Sequence, residues 1–125
     1  MKSILLVEDD SFLIDIYTTK LKEAGFEVSV AEDGEEALKK IQEKKPDLLL
    51  LDIVLPRIDG WEILEKIEDQ NLKGFKIVIL SNLSQKDDIE RGMRLGVDKY
   101  LVKSHLTPSE VVEEIETTLE NVSLS

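Results

Sequence analysis

Three uninterrupted apolar runs, Ile4-Leu5-Leu6-Val7, Leu48-Leu49-Leu50-Leu51 and Ile77-Val78-Ile79-Leu80, most restrict the folds open to this chain. A strand with one face in water alternates apolar and polar residues. A continuous run therefore suits a strand covered on both faces, as in a parallel sheet. The runs lie within five short β-rich segments, Ser3 to Val7, Glu27 to Ala31, Asp47 to Leu51, Phe75 to Leu80 and Lys99 to Val102, each followed by a helix-like pattern. Only the segment Glu27-Val28-Ser29-Val30 alternates, which places it at an edge. A β–α unit repeated five times with short links predicts a doubly wound α/β sandwich built from right-handed crossovers, with the three apolar runs as central strands. At 125 residues the expectation is one domain spanning 1–125, large enough to bury its own core.

Helix starts are marked by oxygen-bearing side chains with an acid three residues on, a pattern that satisfies free N–H groups in the first turn. The expected pairs are Asp33 with Glu36, Asp59 with Glu62, Ser84 with Asp87, and Thr107 with Glu110, the last with Pro108 at the first helical position. The first helix is expected to begin near Asp10 or Ser11, bury Leu13, Ile16, Tyr17, Leu21 and Ala24, and end at a left-handed Gly25. The last is expected from Thr107 to about Asn121, packing Val112, Ile115, Leu119 and Val122 on the sheet.

Charge and composition narrow the function classes. Sixteen basic against 27 acidic residues give 16 − 27 = −11, which opposes contact with a phosphate backbone, so no direct nucleic-acid partner is expected. No apolar stretch approaches the roughly 20 residues of a membrane span. The absence of cysteine excludes disulfides and thiolate metal sites and fits a cytoplasmic setting.

In an open parallel sheet, ligands bind beyond the carboxyl ends of the strands. There the first segment runs into Glu8-Asp9-Asp10, the third into Asp52, the fourth into Ser81 and the fifth into Lys103. Crowded carboxylates repel one another unless a cation lies among them, and an oxygen-rich nest suits Mg²⁺. Taken singly, Asp10 reads as a helix cap, Lys103 as a salt-bridge partner and Ser81 as a turn residue. Together with a metal they supply a cation and a hydroxyl donor to a phosphoryl group, and an Asp can itself accept that group as an acyl phosphate.

The motifs Val7-Glu8-Asp9-Asp10, Leu51-Asp52-Ile53-Val54-Leu55-Pro56 leading to Asp59-Gly60, Leu80-Ser81, and Tyr100-Leu101-Val102-Lys103 resemble those of response regulator receiver domains of two-component signalling. The resemblance covers essentially the whole chain. It implies a flavodoxin-like (βα)5 three-layer sandwich with strand order 2-1-3-4-5, an order for which this family is itself a standard example. It also implies that Asp52 receives a phosphoryl group from a phosphohistidine of a sensor histidine kinase or histidine phosphotransfer protein. Mg²⁺, the one cofactor implied, would be held by Asp9, Asp52 and the Val54 carbonyl, with Glu8 acting through water. Lys103 and Ser81 would contact phosphoryl oxygens. Ser81 and Tyr100 would form the switch, read by a downstream protein on the face of the fourth helix, fifth strand and fifth helix. Such a protein catalyses only its own phosphorylation and dephosphorylation. The start at Met1 and the short tail suggest a stand-alone receiver.

Departures from the family pattern modify these expectations. Asn82 follows Ser81 where a small residue is usual, and would narrow the site or hydrogen-bond the phosphoryl group. Ser104 follows Lys103 where proline is usual, leaving open the isomer of a bond whose cis form would cost roughly 3–4 kcal/mol here. Val54 and Leu83 are apolar where water is oriented for hydrolysis, predicting a long-lived phosphoryl group. Phe12 and Ile14 are candidates for docking a kinase helix. His105, the single histidine, reads as a surface residue. The rivals are an Asp-based metal-dependent phosphatase, which would want a second acid where Val54 stands, a flavin or nucleotide module, which would want a Gly-rich first turn, and a degenerate receiver that only binds protein.

Overall fold

The computed structural model describes residues 1–120; the expected packing of Val122 and a helix end at Asn121 lie outside the described residues. Five parallel strands, β1 (Ser3–Val7), β2 (Glu27–Ala31), β3 (Leu48–Leu51), β4 (Lys76–Ser81) and β5 (Lys99–Val102), alternate with α1 (Ser11–Glu23), α2 (Gly34–Glu43), α3 (Gly60–Asp69), α4 (Lys86–Arg94) and α5 (Pro108–Glu120). The strand order is β2-β1-β3-β4-β5, with the alternating strand β2 at one edge. Among the described residues no helix is long and apolar enough to cross a membrane.

The continuous apolar runs are explained by two cores, one on each face of the sheet. Leu5, Val7, Leu49, Leu51 and Ile79 point to one side and meet Ala37, Leu38 and Ile41 of α2 and Trp61, Ile63, Leu64 and Ile67 of α3. Their neighbours Ile4, Leu6, Leu48, Leu50, Val78 and Leu80 point to the other and meet Tyr17 and Leu21 of α1 and Val111, Val112 and Ile115 of α5. Period-two alternation of side chains thus sends every second residue into a different core. Each such fully buried aliphatic side chain stabilises the fold by about 1.5–3 kcal/mol relative to exposure, which makes the central strands the rigid base for their carboxyl ends.

Local expectations hold at most helix ends and fail at identifiable ones. Asp10 caps α1, accepting from the Phe12 and Leu13 amides, and Gly25 follows the helix at φ +94°. Asp33 accepts from Glu36 N, Asp59 from Glu62 N, and Thr107 and Glu110 form a reciprocal pair. Ser84 does not cap α4: the helix starts at Lys86, so Gln85 holds the cap position without a side-chain bond, and Ser84 lies one residue too early to reach the free amides. In α1 the inward stripe is narrower than expected. Tyr17 and Leu21 are buried and Leu13 and Ile16 half-buried, while Ala24 is exposed because it ends the helix where the chain turns towards β2. Three strand limits shift by one residue: Asp47 stays outside β3, its carboxylate accepting from Ser3 N, and β4 moves on at both ends, running from Lys76 to Ser81.

Candidate functional site

The strand register sets the site. Val7 is paired with Leu51, so β1 and β3 end level and the next residues, Glu8 and Asp52, emerge side by side. The Glu8 and Asp52 amides still donate to strand carbonyls, of Ala31 and Val7 respectively, which holds their backbones to the sheet. The far side of Asp52 is fixed by α3. Gly60 N donates to the Ile53 carbonyl at 2.8 Å, and the helix start lies so close that a Cβ at Gly60 would fall 2.7 Å from the Asp52 carbonyl oxygen. β4 and β5 pair Ser81 with Val102, so Lys103 leaves the sheet level with the residue after Ser81.

Lys103 Nζ donates to Glu8 Oε1 at 2.6 Å and to Asp52 Oδ2 at 2.8 Å. All three side chains are nearly closed to solvent, at 10%, 2% and 7% exposure. The remaining carboxylate oxygens are also satisfied: Glu8 Oε2 accepts from the Asp9 and Asp10 amides, and Asp52 Oδ1 from Val54 N at 3.3 Å. Burial pushes the Glu8 carboxyl up from its ordinary value, against the pull of the Lys103 and Asp10 hydrogen bonds. Burial alone would lower the Lys103 ammonium, but its bonds to Asp52 and Glu8 outweigh that and hold it above the usual lysine value.

Carboxylate oxygens of Glu8, Asp9 and Asp52 lie within 4.8 Å of one another. Asp9 is exposed, and its carboxylate has no hydrogen-bond or ion-pair partner among the described residues. The three acids in their ionised forms against one ammonium leave a charge of −3 + 1 = −2. A hard divalent cation would cancel it, and an all-oxygen donor set beside an unpartnered carboxylate fits such a cation. Glu8, Asp9, Asp10, Leu13, Asp52, Val54, Asn82 and Lys103 line one mouth over these acids. Val54 is exposed there and Phe12 is exposed on the first turn of α1, whereas Ile14 is half-buried.

The other expected residues stand behind this mouth. Ser81 is fully buried, and its hydroxyl accepts from Leu83 N at 3.3 Å. The Tyr100 hydroxyl donates to the Leu83 carbonyl. Leu83 itself packs against the core formed with α2 and α3. Ser81 and Tyr100 are thus both tied to one residue, through its main chain. Nothing in an apolar side chain signals that role. A second connection also escaped sequence reasoning: Ser104 N donates to Asn82 Oδ1 at 3.1 Å, bridging the segments after β4 and β5. No peptide bond among the described residues is cis, so Lys103–Ser104 is trans and leads into a single 3-10 turn, Lys103–His105, with His105 exposed.

Comparison with known proteins agrees with the motifs. Residues 4–116 match the family model of the response regulator receiver domain. The chain is 37% identical over 118 residues to the alkaline phosphatase synthesis transcriptional regulatory protein PhoP of Bacillus subtilis, covering 94% of this chain and 48% of that protein. The chain spans about half the length of the curated relatives it matches. Among solved structures, a CheY-like response regulator receiver domain protein from Methanospirillum hungatei superimposes with a TM-score of 0.88 at 30% identity, over 97% of this chain and 95% of that one. The Mn²⁺-bound form of response regulator Rcp1 superimposes with a TM-score of 0.82 at 32% identity, over 94% and 93%.

Proposed function

The chain belongs to the response regulator receiver domain family of two-component signalling, and from that premise we propose that Asp52 is its phosphoacceptor, taking the phosphoryl group of a phosphohistidine. The observation that carries this reading is the buried Asp52 carboxylate, paired with Lys103 at 2.8 Å beside the unpartnered Asp9. One Asp52 oxygen forms a bond to phosphorus as the P–N bond of the donor breaks, and the electron pair of that bond leaves with the imidazole nitrogen. Lys103 stands where charge gathers on the transferring group, and the two hydrogen bonds it donates, to Glu8 and to Asp52, fix it there before the reaction. Asp9, Asp52 and the Val54 carbonyl would hold Mg²⁺, with Glu8 acting through water. When bound, the ion neutralises charge on the phosphoryl oxygens. That the similar Rcp1 structure is a Mn²⁺-bound form supports a metal-assisted reading.

Hydrolysis requires a water aligned on phosphorus opposite the Asp52 oxygen. Val54 offers no polar side-chain atom there and Leu83 is turned to the core, so the acyl phosphate is long-lived and the chain does not turn over a substrate. Ser81 moves towards a phosphoryl oxygen and gives up its bond from Leu83 N, which frees Tyr100 and alters the face of α4, β5 and α5 for a downstream protein. The donor is a sensor histidine kinase or histidine phosphotransfer protein, and the setting cytoplasmic. A net charge of −11 supports protein rather than nucleic-acid contacts for this chain itself, although relatives of twice its length are named transcriptional regulators.

Intact mass after incubation with acetyl phosphate and Mg²⁺ tests the reading. One phosphate adduct is expected, lost with a chelator and in Asp52→Asn. Failure of acetyl phosphate and of phosphohistidine donors alike would leave a receiver fold that binds protein without phosphorylation.

A further inference from the structure

Asn82 stands on the mouth over Asp52, together with Asp9, Val54 and Lys103. Its carboxamide is oriented by a neighbour that can only donate: the Ser104 amide reaches the side chain at 3.1 Å, so the atom facing it must be Oδ1. That amide exists because residue 104 is not proline and therefore carries an N–H. With the oxygen committed, the NH₂ end keeps its two donors, and no described residue accepts from it. Elsewhere around the mouth the positive side-chain donor is Lys103, already shared between Glu8 and Asp52. The free NH₂ group is thus a neutral donor that adds no charge to contend with the cation-binding acids.

We infer that Asn82, held by the Ser104 amide, is a positioning residue that donates to an oxygen of the phosphoryl group on Asp52. This rests on the reading of Asp52 as phosphoacceptor and extends it to a residue pair outside the family motif. The two residues form one device: Ser104 supplies the N–H that turns the carboxamide, and Asn82 supplies the donors. A charge-assisted hydrogen bond of this kind carries about tenfold in affinity.

The test uses beryllofluoride, a phosphoryl mimic, with Mg²⁺, its binding followed by fluorine NMR and the Ser104 amide by hydrogen exchange. Asn82→Ala is expected to weaken beryllofluoride about tenfold and to speed Ser104 exchange, because both ends of the carboxamide are lost. Asn82→Asp is expected to preserve Ser104 protection through the retained acceptor, yet to weaken beryllofluoride at least as much, because the donors are gone. Wild-type affinity in either variant would overturn the inference, as would unchanged Ser104 exchange in Asn82→Ala. Failure of the underlying reading is distinguishable: wild-type protein itself would then bind no beryllofluoride, or bind it equally well after Asp52→Ala.

Discussion

Lys103 lies between two buried acids, and its bonds to Glu8 and Asp52 put the one ammonium against both, opposing the burial that pushes the Glu8 carboxyl up. Lys103→Met should therefore destabilise the protein by about 3 kcal/mol in urea unfolding, since it leaves two carboxylates facing each other with no cation. Mg²⁺ should restore part of that loss. Tyr100 offers a second residue-scale prediction. Burial first, then the Asp88 and Asp52 carboxylates, push its phenol up to about 12. Because the folded value exceeds the ordinary one, its contribution to stability is complete below pH 10.0 and is lost as pH rises through about 12. Phenolate absorbance of wild type minus Tyr100→Phe should show this late step, and the variant should lose about 1 kcal/mol with the bond to Leu83. The cluster of Glu8, Asp9, Asp52 and Lys103 was legible because ends of apolar strands are marked plainly by the first charged residue. The bonds of Leu83 and Ser104 were not, because they are made by the main chain, whose partners depend on how distant loops meet.

At the scale of elements, α4 is the helix least fastened to the sheet. Of its nine residues only Gly92 is buried, and its first turn lacks a side-chain cap, where α1, α2 and α3 have one. Its outer fastening is Arg91, whose guanidinium lies 4.5 Å over the Trp61 ring and 3.9 Å from Glu65 on α3. Amide hydrogen exchange should be faster in α4 than in α1, α2 or α3, and faster still in Arg91→Ala; equal protection across the four would contradict this account. The missing cap also shows where sequence reading fell short, since Ser84 with Asp87 matched the capping pattern and was displaced by a single residue in the helix start. By contrast α3 begins under tight constraint. Gly60→Ala would press a methyl group onto the Asp52 carbonyl and Ile53. It should cost about 2–3 kcal/mol and reduce phosphate uptake at Asp52 together with stability.

For the molecule as a whole, a cation held at the proposed site would couple its binding to stability. If Mg²⁺ binds only the folded acids, a concentration a hundredfold above its Kd stabilises the protein by about 2.7 kcal/mol. Thermal unfolding at matched ionic strength should show the gain in wild type and lose it in Asp9→Asn, which separates site binding from screening of the overall charge of −11. The layered architecture was the most legible property of all, since uninterrupted apolar runs such as Leu48 to Leu51 admit few solutions other than a sheet covered twice. The link between Ser81 and Tyr100 bears on how such a protein changes over generations. The residue that connects Ser81 to Tyr100 does so with atoms every amino acid possesses, apart from the N–H that proline lacks. Mutational drift at position 83 can thus replace leucine while the connection passes intact to descendants, with proline the single substitution that severs it from Ser81.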